Sequence, residues 1–261
     1  MKIKVFIVTY NNNQMLDKCV DSLLNSDLTK YDYQITIINN YSVINKNYGN
    51  KCVVLNNLLR LDTSTGHLSR NWNQAIILGF VDLTKPDCDI LVCCQNDCQF
   101  TPNWCKNIIE YHKKYDFLTF GIGDCFHSYT PNAVKKIGLW DERFCNIGYQ
   151  EADYFLRALI YHGSKSSIND LSHKRIHNPL NNNVVINTPS GFQRRESSHL
   201  ESMKYHNISE NLFKTKWNIA PKRWNVGEII KTINNSLIPN FIYYPYFEKD
   251  VENLKQHNYV L

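Results

Sequence analysis

The sequence predicts an α/β protein built on a doubly wound, mainly parallel sheet, with a mostly helical extension at its C-terminal end. Three observations carry this. Short apolar runs alternate, through the first half, with stretches whose apolar residues recur at helical spacing. Those helical stretches are long enough to act as crossovers, which makes the strands parallel. The apolar runs also stop at polar residues (Thr9-Tyr10-Asn11, Asn39-Asn40, Gln95-Asn96-Asp97), which a sheet places at its rim.

Taken in order, residues 2–9 form a buried strand and Tyr10 to Asn13 a turn supplied with Asn caps. Met15, Leu16, Cys19, Val20, Leu23 and Leu24 line one face of a helix over 14–25. Strands follow at 33–38 and 51–55. A helix over 69–81 turns Trp72, Ala75, Ile76 and Phe80 inward. Residues 89–94 are the next strand, and Pro102 opens a helix running towards Tyr115, since Pro is tolerated in a first turn. Beyond it come a strand at 117–120, a short helix at 131–137 closed near Gly138, and a helix at 151–161 with Phe155, Leu156 and Leu159 inward. Residues 165–191 are polar and Asn-rich and read as loop. The tail from Phe192 carries helical pieces and then the aromatics Phe241, Tyr243, Tyr244, Tyr246 and Phe247.

At 261 residues the chain holds one large domain, or one domain with a small appendage. A net charge of +5 is too mild for a nucleic-acid binder. It suits an anionic ligand such as a nucleotide diphosphate, or a peripheral membrane contact. Met1-Lys2 leads straight into a strand, so no secretory signal is read, and no apolar run approaches the roughly 18 residues of a membrane span. A cytoplasmic location is expected. The nine cysteines fit it: the number is odd, and Cys19, Cys93 and Cys94 sit inside apolar segments as small hydrophobes. They lack the paired C-x-x-C layout of a zinc site.

The chemistry is concentrated at strand ends. In open α/β sheets, ligands bind beyond the carboxyl ends of the strands. Asp97 closes the run Ile90-Leu91-Val92-Cys93-Cys94, where its carboxylate can hold a divalent cation and, through it, a phosphate. Oxygen ligands and a part-hydrated ion suit Mg2+ or Mn2+. Thr9, Tyr10 and Asn11 lie where they can flank a base or ribose; the amides of Asn39 and Asn40 can bond a uracil-like edge or ribose hydroxyls. Arg70, near a helix start, can face a diphosphate. Glu151 and Asp153 stand two apart at a helix start, so they do not share a face; one can serve as a base while the other ties down structure. His173 and His177 are candidates for a late metal ligand beside Asp97 or for a diphosphate contact.

These segments, in their order and spacing over residues 3–177, resemble the inverting glycosyltransferases of the family-2 kind. Val5 to Asn11 is similar to that family's opening strand and turn. Asn39-Asn40-Tyr41-Ser42 stands where the family has an Asp-Asn-Gly-Ser-like nucleotide contact. Gly66 to Asn73 resembles the stretch before the metal strand, which brings in Arg70 and Asn73. Gln95-Asn96-Asp97 takes the place of the DxD motif. Ile137 to Phe144 resembles the acceptor-side G-x-x-D-E-x-F segment, with Trp140 and Asp141, and Gln150-Glu151-Ala152-Asp153 the motif carrying the base.

The resemblance implies a Rossmann-like nucleotide-diphospho-sugar transferase fold. It implies a nucleotide diphosphate sugar donor, UDP-linked by preference, a glycan or small-molecule acceptor, and Mn2+ or Mg2+. Glu151 takes the base role, with Asp153 as understudy. Asp97 holds the metal with help from His173, and Thr9, Tyr10, Asn11, Asn39, Asn40, Arg70, Asn73, Gln95 and Asn96 surround the nucleotide. Trp140 and Asp141 shape the sugar and acceptor pocket. Residues 1–191 are then the catalytic domain, and 192–261 cover the acceptor side or make a homodimer contact. Three positions depart from the family pattern: Gln95 and Gln150 replace acids, and Asn39 replaces an Asp. They leave a second reading, a nucleotide-sugar-binding module with weak or no turnover.

Overall fold

A computed structural model of the chain describes residues 1–10, 12–40, 42–57, 68–144, 148–170, 175–177, 180–187 and 206–218, with the backbone alone at 170, 175–177 and 187. Its centre is β1 (Lys2–Tyr10), which is parallel to β2 (Asp32–Asn40) on one side and to β4 (Ile90–Gln95) on the other. Outside β2 lies β3 (Cys52–Asn56), also parallel. Beyond β4 come β7 (Phe126–Tyr129), β6 (Phe117–Phe120), β8 (Ser166–Asp170) and β9 (Arg175–His177). The eight-stranded order is β3-β2-β1-β4-β7-β6-β8-β9. The sheet is mixed. A short connection from Phe120 to Phe126 folds β7 back as a hairpin, antiparallel to both β4 and β6.

Alternation along the strands sorts the core into two layers. Ile3, Val5 and Ile7 of β1, with Ile90, Val92 and Cys94 of β4, pack on α1 (Asn13–Leu24) and α3 (Trp104–His112). Phe6 and Val8, with Leu91 and Cys93, face the other way. They meet α2 (Leu68–Phe80), α4 (Pro131–Ile137) and α5 (Tyr149–Arg157). Both faces are therefore covered, as a doubly wound sheet requires. Asn12 caps α1 by accepting from the Met15 N–H at 3.2 Å. α5 runs on into a wide π-type turn at Ala158–His162, which ends where Gly163 takes φ +53°.

Residues 165–191 depart from the expected loop: β8, β9 and a further strand, β10 (Val185–Asn187), lie within them. β8 is polar, and several of its groups find partners, though Asn169 Oδ1 is buried with none among the described residues. Ser166 Oγ donates to Ala158 O, and Asn169 Nδ2 to Leu180 O at 2.9 Å. β10 pairs antiparallel with β5 (Cys98–Phe100), the short strand just past Asp97.

Of the C-terminal segment the structure describes one helix, α6 (His206–Trp217). It packs on α5 and buries Phe213 and Trp217 in the layer that holds Trp72 and Trp140. The aromatic tail lies outside the described residues. Among the described residues no helix is long and apolar enough to cross a membrane.

Candidate active site

Parallel pairing brings the carboxyl ends of β1, β2 and β4 to one edge. Thr9 and Tyr10 stand opposite Asn39 and Asn40, and Val8 opposite Gln95. Strand order reverses at β1, so a crevice opens there. Asn96 bridges it. Its N–H donates to Val8 O at 3.1 Å, and its Nδ2 donates to Thr9 Oγ1 at 2.8 Å. Tyr10 is 36% exposed at the rim, whereas Thr9 is buried. Asn11 lies outside the described residues.

Amides crowd the β2 side of the crevice. Asn39 shapes its own turn: Nδ2 donates to Ser42 O and to Asn56 Oδ1, and Oδ1 accepts from the Ser42 N–H. Asn40 Oδ1 accepts from Asn57 Nδ2 at 3.0 Å, but its own Nδ2 is buried with no partner among the described residues. Asn57, which the sequence reading passed over, also donates to Gln74 of α2.

Arg70 and Asn73, expected at the nucleotide, are engaged elsewhere. Arg70 Nε pairs with Glu142 at 3.2 Å, both side chains exposed. Asn73 is buried and clamps the backbone of Trp140. Its Oδ1 accepts from the Trp140 N–H at 2.7 Å and its Nδ2 donates to Trp140 O at 2.9 Å. Trp140, expected to shape the sugar and acceptor pocket, is 1% exposed. It stacks on Tyr154 at 4.2 Å and donates its indole N–H to Tyr129 Oη, which allows a Trp this deep in the core.

The two acids of α5 part company. Asp153 is fully buried in an ionic cluster. It takes Arg157 Nε at 3.0 Å, Lys216 Nζ at 2.7 Å and the Trp217 indole at 2.9 Å. Lys216 also reaches Asp141, which Arg143 grips with two nitrogens at 2.8 and 2.6 Å. Burial alone would raise the Asp141 carboxyl; Arg143 and Lys216 outweigh it and hold the group well below the usual carboxylate range. Asp141 and Asp153 therefore fasten α6 to the body. Both, expected as an understudy base and a substrate contact, are engaged with these cations.

Glu151 stands apart from that cluster. It lies in the first turn of α5, 3% exposed, against the β6–β7 connection. The fit there is tight: Gly123 has φ +58°, and a Cβ on it would stand 2.9 Å from Glu151 Oε2. The next residue, Asp124, was not singled out from the sequence. Its Oδ2 accepts from Trp72 Nε1 and from Gln150 Nε2, each at 2.9 Å, and its Oδ1 from Gln95 Nε2 at 3.0 Å. Its only signal in the sequence is a Gly-Asp pair between two apolar strands.

Asp97 follows Gln95 in the turn from β4 to β5 and is 7% exposed. His173 lies outside the described residues, and among those described no cluster of three or more His, Cys, Asp or Glu groups forms a metal cage. One hard carboxylate oxygen at the rim nonetheless fits Mg2+ or Mn2+, because such ions are held through one or two carboxylates plus substrate phosphates and water. The donor set suits a cation that arrives with a diphosphate.

The mixed sheet, covered by helices on both faces, matches the nucleotide-sugar transferase class of fold. The description "Glycosyl transferase family 2" matches residues 4–199, and the chain belongs to that family. Among solved structures, the mannosyltransferase PcManGT from Pyrobaculum calidifontis, in complex with GDP-Man and Mn2+, aligns with TM-score 0.52 at 9% identity. It covers 88% of this chain and 68% of its own. S. aureus TarS aligns with TM-score 0.48 at 16% identity over 75% of this chain, which spans 38% of the TarS chain. The 1–349 fragment of TarS in complex with UDP-GlcNAc gives TM-score 0.44 and 15% identity, over 67% of this chain and 57% of the fragment. No curated protein sequence gives a significant match.

Proposed function

We propose that the chain is an inverting glycosyltransferase. It moves a sugar from a nucleotide diphosphate sugar to a hydroxyl of a glycan or other acceptor. One observation supports the reading: Gln95 and Gln150 meet on a single carboxylate, which ties the strand end just before Asp97 to the helix start that holds Glu151.

The nucleotide lies across the ends of β1 and β2, with Tyr10 and the spare Asn40 donor towards the base. A donor there suits a carbonyl of a uracil edge, and UDP is the favoured carrier. Asp97 holds the cation. When bound, Mn2+ or Mg2+ neutralises the charge gathering on the departing diphosphate. Glu151, almost dry and packed against Gly123, takes the acceptor's hydroxyl proton as the oxygen attacks from the face opposite the leaving group. A displacement from that face inverts the anomeric centre. The described cysteines are all free thiols, which suits a reducing cytoplasmic setting.

A second reading, a binding module without turnover, draws on the same glutamines: their amides are donors to Asp124 and do not supply the acids the family pattern has there. One experiment separates the two. Melting temperatures are recorded with UDP-, GDP- and dTDP-sugars, with and without Mn2+, and donor turnover is then followed for the wild type and Glu151→Gln. The expected result is stabilisation by a UDP-sugar that grows with Mn2+, and turnover lowered by about 10²-fold or more in Glu151→Gln with nucleotide binding kept. Binding without any wild-type turnover selects the module. Unchanged turnover in the variant removes Glu151 as base.

A further inference from the structure

We propose that Asp124 is the positioning residue of this site: one buried carboxylate fixes the turn bearing Asp97 and the helix start bearing Glu151 relative to each other. The inference rests on the glycosyltransferase reading for its consequence but on geometry for its substance.

Asp124 is 2% exposed and sits in the connection between β6 and β7. Three N–H groups that it accepts come from separate elements: Gln95 at the end of β4, Trp72 in α2 and Gln150 in the first turn of α5. Gln95 is two residues before Asp97, and Gln150 is adjacent to Glu151. The tether to β4 is double, because the Gln95 backbone N–H also donates to Cys125 O at 2.8 Å. The tether to α5 is tightened from both sides. Gly123 abuts the Glu151 carboxylate, and Gln150 Oε1 accepts from Ser69 Oγ at 3.1 Å.

The arrangement accounts for the two amides. Acids at 95 and 150 would each face the Asp124 carboxylate, where charge repulsion opposes burial. Amides there turn both contacts into N–H donors to one anion, which are stronger than bonds between neutral groups. The polarity of the site is thus rearranged around a central acid, and its two glutamines are not simply lost function.

The test exchanges donor and acceptor across one bond. Asp124→Asn keeps the volume but has one acceptor oxygen where Asp has two, so an N–H comes to face the Gln95 amide. Adding Gln95→Glu restores an acceptor on the other side of the same contact. Donor turnover, nucleotide affinity and crystal structures are measured for wild type, Asp124→Asn and the exchange variant. We expect Asp124→Asn to lower turnover by about tenfold to a hundredfold, the effect of a misplacement of about 1 Å, with nucleotide affinity changed by less than about threefold. The exchange variant recovers most of the loss. Wild-type turnover in Asp124→Asn overturns the proposal, and so does unfolding of that variant that the exchange does not reverse. If the wild type itself turns over no donor, the functional reading fails and the crystal structures still decide the positioning. Asp97 and Glu151 carboxylates that shift in Asp124→Asn and return in the exchange variant support it; carboxylates that stay in place overturn it.

Discussion

The contact between Gly123 and Glu151 shows how a site can depend on an atom that is not there. The backbone at 123 has φ +58°, a region side chains rarely adopt, and the space a Cβ would occupy is already held by a carboxylate oxygen at 2.9 Å. Gly123→Ala therefore strains the turn and pushes against the proposed base at once. The expected cost is about 1–3 kcal/mol in unfolding free energy. A fall in donor turnover larger than the stability loss explains should accompany it. Urea unfolding and initial rates check both, and a variant with wild-type rates would show that Glu151 needs no such confinement. Glu151 was legible in the sequence as one of two acids at a helix start. The family resemblance put it ahead of Asp153, but the structural duty of Asp153 was not legible, because its partners Lys216 and Trp217 stand some sixty residues further on.

Among the elements, those with strong periodicity were legible: β1, β2, β4, α1 and α2 each carry an apolar pattern that needs no distant partner to be recognised. β8 and β10 were not. β8 is short and polar and β10 is only three residues long, and what makes them strands is the edge supplied by β6 and β5. Trp140 shows the same limit at a single position, since its burial depends on Tyr129 and Tyr154 from other elements. α6 owes its place to Lys216 as much as to its aromatics. Lys216→Ala removes ion-pair contacts to Asp141 and Asp153, and hydrogen bonds to charged groups are worth roughly 1.5–3 kcal/mol each. We expect a loss of about 2–4 kcal/mol, read by chemical denaturation; a loss within error would mean that Arg143 and Arg157 satisfy the two acids alone.

For the whole molecule, acidity is the exposed weakness. Burial holds His127 down to about 3, in a ring of Trp72, Tyr129 and Trp140. It holds His112 down to about 4, against the pull of the Tyr115 carbonyl. Both imidazoles stay neutral in the folded protein and take up protons once unfolded. Their contribution is complete above the unfolded value near 6.5 and is lost as pH falls towards 4 and 3. By pH 5 each costs about 2 kcal/mol. Denaturation curves at pH 7.5 and pH 5 should show the difference, and His127→Phe, which keeps a ring among those neighbours, should roughly halve it. An unchanged pH slope would show that His127 titrates freely in the native protein. Lys216 and Trp217 carry a last, practical consequence. The stretch that matches the family stops at 199, yet Phe213 of the helix beyond it packs on Phe144 and Tyr149. Boundaries drawn from similarity alone would cut through a shared interior, and an expression clone trimmed there would lay bare an oily face and take from Asp141 and Asp153 the lysine they share.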